Sequence, residues 1–206
     1  SYIKERSDID FREINTRAVE LARKVANKQD FVIGNIGQGQ FEITPFGEYD
    51  FDLASQQYRE QIEILHENSV DGIFLNMFQD IQNLRAAIIA TREVDRELPL
   101  IISVDFREGQ MLDGTTLDSF ATIMNSLDVN AIGINKIKLM RKLEKYTNLP
   151  LVVHADSEEL DRNWEKLKRR RIGLMIIPQS LEFDTLDKIM ELAKGKKVQQ
   201  GQSEFS

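Results

Sequence analysis

Short apolar runs and longer amphipathic stretches alternate along the chain. The runs are Phe31-Val32-Ile33-Gly34-Asn35, Gly72-Ile73-Phe74-Leu75-Asn76, Leu100-Ile101-Ile102-Ser103-Val104-Asp105, Ala131-Ile132-Gly133-Ile134-Asn135, Leu151-Val152-Val153-His154 and Gly173-Leu174-Met175-Ile176-Ile177. They are continuous and rich in β-branched residues rather than alternating, so they read as strands buried on both faces. Between them, apolar positions recur at helical spacing over 10–27, 52–68, 80–96, 116–127, 139–146, 157–170 and 184–194. In the first stretch Ile14, Ala18, Leu21, Ala22 and Val25 form one stripe; in the second Leu53, Tyr58, Ile62 and Leu65 do so. Strand–helix units repeated without a hairpin signal predict a parallel sheet wrapped by helices.

The ends of the runs carry the candidate chemistry. Asn35, Asn76, Asp105, Asn135 and His154 each stand where a strand gives way to a loop. A (β/α)8 barrel builds its site from the C-terminal ends of its strands, although a doubly wound sheet places polar groups there as well. The chain supplies six strands where a barrel has eight, and it opens on a helix. The expected fold is therefore α/β, a (β/α)8 TIM-barrel-like architecture that is incomplete, its first two strands falling before Ser1. Open edges and exposed interior side chains are a liability that something must cover. The expected remedies are the first helix folded across the gap, a homo-oligomer, or a partner chain. Residues 1–195 read as the partial barrel and 196–206, polar with Phe205 as its one aromatic, as a flexible tail.

Composition changes the picture by exclusion. The 206 residues carry 27 Lys+Arg against 34 Asp+Glu, a net charge of −7, which gives no nucleic-acid footprint. The basic run Lys166-Leu167-Lys168-Arg169-Arg170-Arg171 reads as a helix C-terminus, where cations oppose the negative end of the dipole. No window approaches a membrane span and the N-terminus is no signal peptide, so a cytoplasmic location is expected. Cysteine is absent, which removes disulfides, zinc–thiolate sites, iron–sulfur clusters and a cysteine nucleophile together.

A family likeness gives that absence a meaning. The run Asp10-Phe11-Arg12-Glu13-Ile14-Asn15-Thr16-Arg17-Ala18-Val19-Glu20-Leu21-Ala22-Arg23 resembles the helix after the second strand of homocysteine S-methyltransferases. The family includes the N-terminal module of cobalamin-dependent methionine synthase. The likeness continues in order through Gly34-Asn35-Ile36-Gly37, Gly47-Glu48-Tyr49-Asp50, Tyr58-Arg59-Glu60-Gln61 and Asp80 with the helix 86–94. It goes on through Leu112-Asp113-Gly114-Thr115-Thr116, Gly133-Ile134-Asn135 and 145–153, covers most of 10–153 and weakens beyond.

The resemblance implies a barrel in which three cysteine thiolates hold a zinc ion that binds the homocysteine sulfur and lets it attack a methyl donor as thiolate. A free thiol, with a pKa near 8.5, is mostly protonated at neutral pH, so that chemistry needs the metal. Lys136, Pro178 and Gln179 stand at the three ligand positions, and Asn76 stands where the family has a glutamate for the homocysteine amine. The cofactor expectation is none, the family zinc being absent. Asp156 falls near a family asparagine, beyond a shortened loop after His154.

Three readings follow. A drifted, non-catalytic binding or structural module would lose ligands and amine-binding acid together while keeping the scaffold. A repurposed enzyme would use Lys136 as a Schiff-base amine, set against a plain solvated lysine, or Asp105, His154 and Asp156 as a metal-binding group, set against a satisfied surface histidine. A methyltransferase fragment could be completed by another chain. The candidate catalytic residues are Lys136, Asp105 and His154. Asn35, Asn76, Asn135 and Asp156 are the candidate contacts to a small amino-acid-like ligand.

Overall fold

The computed structural model describes residues 10–40, 42–45, 47–154 and 172–176. Helix α1 (Phe11–Val25) leads into β1 (Ile33–Gly37), followed by α2 (Phe51–Glu67), β2 (Gly72–Phe78), α3 (Ile81–Val94), β3 (Leu100–Val104), α4 (Leu117–Ser126), β4 (Ala131–Ile134), α5 (Ile137–Leu143), β5 (Leu151–His154) and β6 (Ile172–Ile176). Each apolar run of the sequence became a strand. The fifth helix begins two residues earlier than its periodicity suggests, because Ile137 is drawn into the core at its first turn. The helices expected over 157–170 and 184–194 and the residues Asp156, Pro178 and Gln179 lie outside the described residues.

All six strands are parallel and follow chain order, β1-β2-β3-β4-β5-β6. A doubly wound sheet reverses its strand order at a switch point, and no reversal occurs here. The sheet is also curled. Phe74 of β2 and His154 of β5 bring their rings to 6.3 Å although β3 and β4 lie between them. Three strand spacings of about 4.8 Å in a flat sheet would hold them about 14 Å apart. The result is an incomplete parallel barrel flanked by helices, with no strand joining β1 to β6 among the described residues.

Register divides the side chains into two layers. Ile73, Leu75, Ile102, Ile132, Ile134, Leu151 and Val153 point outward into one core with the helices. The intervening positions face the lumen, where Asn35, Phe74, Ile101 and Ala131 align in one row and Ser103, Gly133, Val152 and Leu174 in another. Aspartates start the early helices: Asp10, Asp50 and Asp80 each accept a backbone N–H of the first turn, satisfying donors that have no partner within the helix.

Helix α1 departs from its sequence pattern. Its packed face centres on Val19 and lies against α2, held by ion pairs of Arg12 with Glu67 and of Arg23 with Asp71. The Arg23 guanidinium, with the Val32 N–H, holds the Asp71 carboxyl below the usual carboxylate range. The stripe read from periodicity is packed only in part: Ala22 lies against the core and Ile14 is half-buried, whereas Leu21 is 56% exposed and Val25 82%. Helix α1 therefore sits beside α2 in the outer layer and does not fold across the barrel gap.

Candidate functional site

The C-terminal ends of β1 and β2 and the loops beyond β1, β2 and β3 enclose a cleft of about 810 Å³. Its walls come from Gln38, Glu42, Asn76, Met77, Asp80 and Leu112, among others. Gln38 is the clamp. Its carboxamide oxygen accepts the N–H of Gln79 (2.7 Å) and of Asp80 (3.3 Å), and its nitrogen donates to Asp80 Oδ2 at 2.6 Å. Asp80 in turn caps α3 through the Asn83 N–H and accepts Asn83 Nδ2 at 2.8 Å. The buried Tyr58 hydroxyl donates to Asn83 Oδ1 and accepts the Gly39 N–H, both at 2.9 Å, and burial pushes its ionisation up. Asp113 accepts the N–H of Ile81 at 2.7 Å and of Thr115 at 2.9 Å, tying the loop after β3 to the start of α3.

A bulge in β2 shapes the floor. The β2–β3 register slips between Leu75 and Phe78, and Met77 takes φ 56°. A left-handed backbone at a residue other than glycine costs about 1–2 kcal/mol. Ser103 offsets this, because its hydroxyl accepts the Met77 N–H and donates to Asn76 Oδ1, each at 3.0 Å. Asn76 is thereby fixed at the cleft with its carbonyl oxygen already used.

The sequence candidates separate into groups. Asp105 and Asn135 meet: Asn135 Nδ2 donates to Asp105 Oδ1, and Asn135 Oδ1 accepts the Phe106 N–H at 2.9 Å. Arg107 Nε donates to the other Asp105 oxygen at 3.0 Å, so both carboxylate oxygens have partners. Lys136 occupies the N-cap of α5 without a capping side-chain bond. Asn35 is exposed on the lumen side of β1. His154 ends β5 against Phe74, and its buried Nε2 has no hydrogen-bond partner among the described residues. Gln38, Asp80, Asn83 and Tyr58 are not among the sequence's site candidates; Tyr58 and Asp80 enter there only through the helical stripe and the family likeness. The one signal was Asp80 just ahead of an apolar helix; the rest is a contact between distant segments.

Burial lowers the His154 pKa below its ordinary 6.5. As pH falls, the unfolded chain takes up this proton before the folded one does. Stability is complete above about pH 6.5 and is lost as pH drops below it toward the folded pKa. His154→Phe, which keeps a ring beside Phe74, is expected to flatten stability between about pH 7 and 5, measured by urea denaturation across that range.

With this geometry in view, the sequence profile described as homocysteine S-methyltransferase matches residues 2–180. The chain belongs to the homocysteine S-methyltransferase family. The methionine synthase of Mycobacterium leprae (strain TN) is 23% identical over 160 residues, covering 69% of this chain and 13% of that protein. The methionine synthase of Mycobacterium tuberculosis (strain ATCC 25618 / H37Rv) gives the same figures. This chain thus spans a small part of the curated relatives it matches. Among solved structures, the apo form of the homocysteine methyltransferase MmuM from Escherichia coli superposes with TM-score 0.75 at 20% identity, over 90% of this chain and 77% of that one. The carboxyl transferase domain (Y628A) of Rhizobium etli pyruvate carboxylase, solved with pyruvate, shares the fold alone, with TM-score 0.61 at 12% identity over 89% of this chain and 35% of that one.

The residues of this homocysteine S-methyltransferase homologue do not fit the family zinc. A zinc site that activates a thiol draws on thiolate or imidazole donors, yet the sequence has no cysteine and two histidines. One histidine, His66, is on the outer surface with its Nε2 at 3.1 Å from Asp95. Among the described residues no three His, Cys, Asp or Glu side chains cluster as a metal site.

Proposed function

We propose that this domain binds a small ligand without transferring a methyl group. The donor set carries the reading: Lys136 and Asn76 stand at the ends of β4 and β2 where, by the family resemblance, a thiolate and an amine-binding carboxylate belong. A lysine ammonium repels a divalent cation and supplies no soft ligand. The scaffold around the cleft remains built, since Gln38, Asp80, Asn83 and Tyr58 satisfy one another there. Acidic side chains at the rim, with Glu42 exposed, suit a ligand that carries an amino group. The gap between β1 and β6, which no strand among the described residues fills, is covered in this reading by further polypeptide.

Calorimetric titration with homocysteine, methionine and their deaminated analogues tests the ligand class. The reading predicts binding that needs the amino group, is indifferent to the thiol, and weakens at least tenfold in Gln38→Ala. Binding that requires the thiol, or that ignores Gln38, would count against it.

A further inference from the structure

The floor of the cleft has a fixed hydrogen-bond polarity, and the bulge in β2 sets it. The Met77 N–H can only donate, so the Ser103 hydroxyl oxygen that it meets at 3.0 Å accepts. Ser103 is fully buried, and a buried hydroxyl hydrogen needs an acceptor of its own. The acceptor it reaches among the described residues is Asn76 Oδ1, at 3.0 Å. Turning the Asn76 carboxamide over would set nitrogen against Ser103 and leave the hydroxyl hydrogen with nothing to bond, which costs about 1–3 kcal/mol. The carboxamide is therefore held with its oxygen spent on Ser103. Its Nδ2, a donor only, has no partner among the described residues and stands in the lining of the cleft.

Charge limits what can meet that donor. Glu42, Asp80 and Asp113 line the cleft, and no lysine, arginine or histidine does so among the described residues. Asp80 and Asp113 accept N–H groups at the start of α3, whereas Glu42 is exposed at the rim. A carboxylate brought to Asn76 would face three like charges with no cation to offset them. A neutral carbonyl oxygen accepts the same N–H without that repulsion. Ile43, Met77 and Leu112 add an apolar wall. We infer that Asn76, held by Ser103, selects a neutral acceptor, and that the cleft takes an α-amino amide rather than a free amino acid. The ammonium is drawn to the acidic walls, the carbonyl accepts from Asn76 Nδ2, and the side chain meets the apolar wall. Asn76 touches the ligand; Ser103 acts through it and is a positioning residue. A small amide and the N-terminus of a peptide share this chemistry. The inference rests on the preceding reading in taking the cleft to bind an amine, and adds the acceptor that accompanies it.

Methionine amide, methionine and the amine left by decarboxylating methionine share a side chain and an ammonium and differ at the acceptor. Titrated calorimetrically into the 206-residue protein, the amide is expected to bind at least tenfold more tightly than either of the others. Asn76→Asp still accepts from Ser103 but offers the cleft an oxygen in place of an N–H. The amide should then lose its advantage over the amine, while the amine binds at least as tightly as before. Ser103→Ala frees the Asn76 carboxamide to turn and should cut the same advantage severalfold; Ser103→Thr, which keeps the hydroxyl, should restore it. Methionylglycine amide separates the sources: binding equal to that of methionine amide assigns a peptide N-terminus, and exclusion assigns a small amide. Equal binding of the amide and either comparator, or an amide preference that survives Asn76→Asp, overturns this inference and leaves the amine-binding reading standing. Binding of none of the three overturns both.

Discussion

Gly133→Ala is expected to lower stability by about 3 kcal/mol, a large loss for the addition of one methyl group. Gly133 lies in β4 opposite Val152 of β5, and a Cβ there would stand 2.4 Å from the Val152 carbonyl oxygen and 2.6 Å from its Cβ. Those atoms belong to a neighbouring strand and cannot swing aside, so accommodation means parting β4 from β5. Gly37→Ala is the control: its Cβ would meet nothing within 4 Å, and a change within about 0.5 kcal/mol is expected. Urea denaturation midpoints for the two variants decide the matter. Near-equal midpoints would show that the two strands are not held this closely.

Phe78→Ala should cost about 3–5 kcal/mol and loosen the cleft as well. Phe78 is fully buried at the end of β2, with its ring 5.8 Å from that of Tyr58. Tyr58 is the latch that holds Asn83 on one side and the Gly39 N–H on the other, so removing its packing partner frees the cleft wall. Hydrogen exchange at Gly39 should rise in step with the loss of stability, whereas Phe78→Leu, which keeps most of the volume, should retain both. A destabilised protein whose Gly39 amide stayed protected would separate the core from the cleft.

The strands were legible because a parallel sheet covered by helices needs continuous β-branched runs, and such runs can be read without knowing their neighbours. The polar ends of those runs were legible for the same reason. Less visible was what each polar residue would meet. Asp105 and Asn135 look like open site groups in sequence, yet they bond each other across adjacent strand ends. Gln38 looks like a loop residue between glycines, yet it organises the cleft through Asp80, 42 positions away. Helix α1 shows the limit most clearly. Periodicity located the stripe of Leu21 and Val25, but a stripe records only what a helix is built to bury, and among the described residues nothing buries those two side chains.

Family membership and the missing cysteines together mean that the scaffold persists without a thiolate zinc site. Incubating the purified protein with excess zinc, dialysing it and counting metal per chain, with and without homocysteine, tests this most directly. The predicted result is far less than one zinc per chain, unchanged by homocysteine. One zinc retained per chain, with homocysteine bound only when the metal is present, would contradict it.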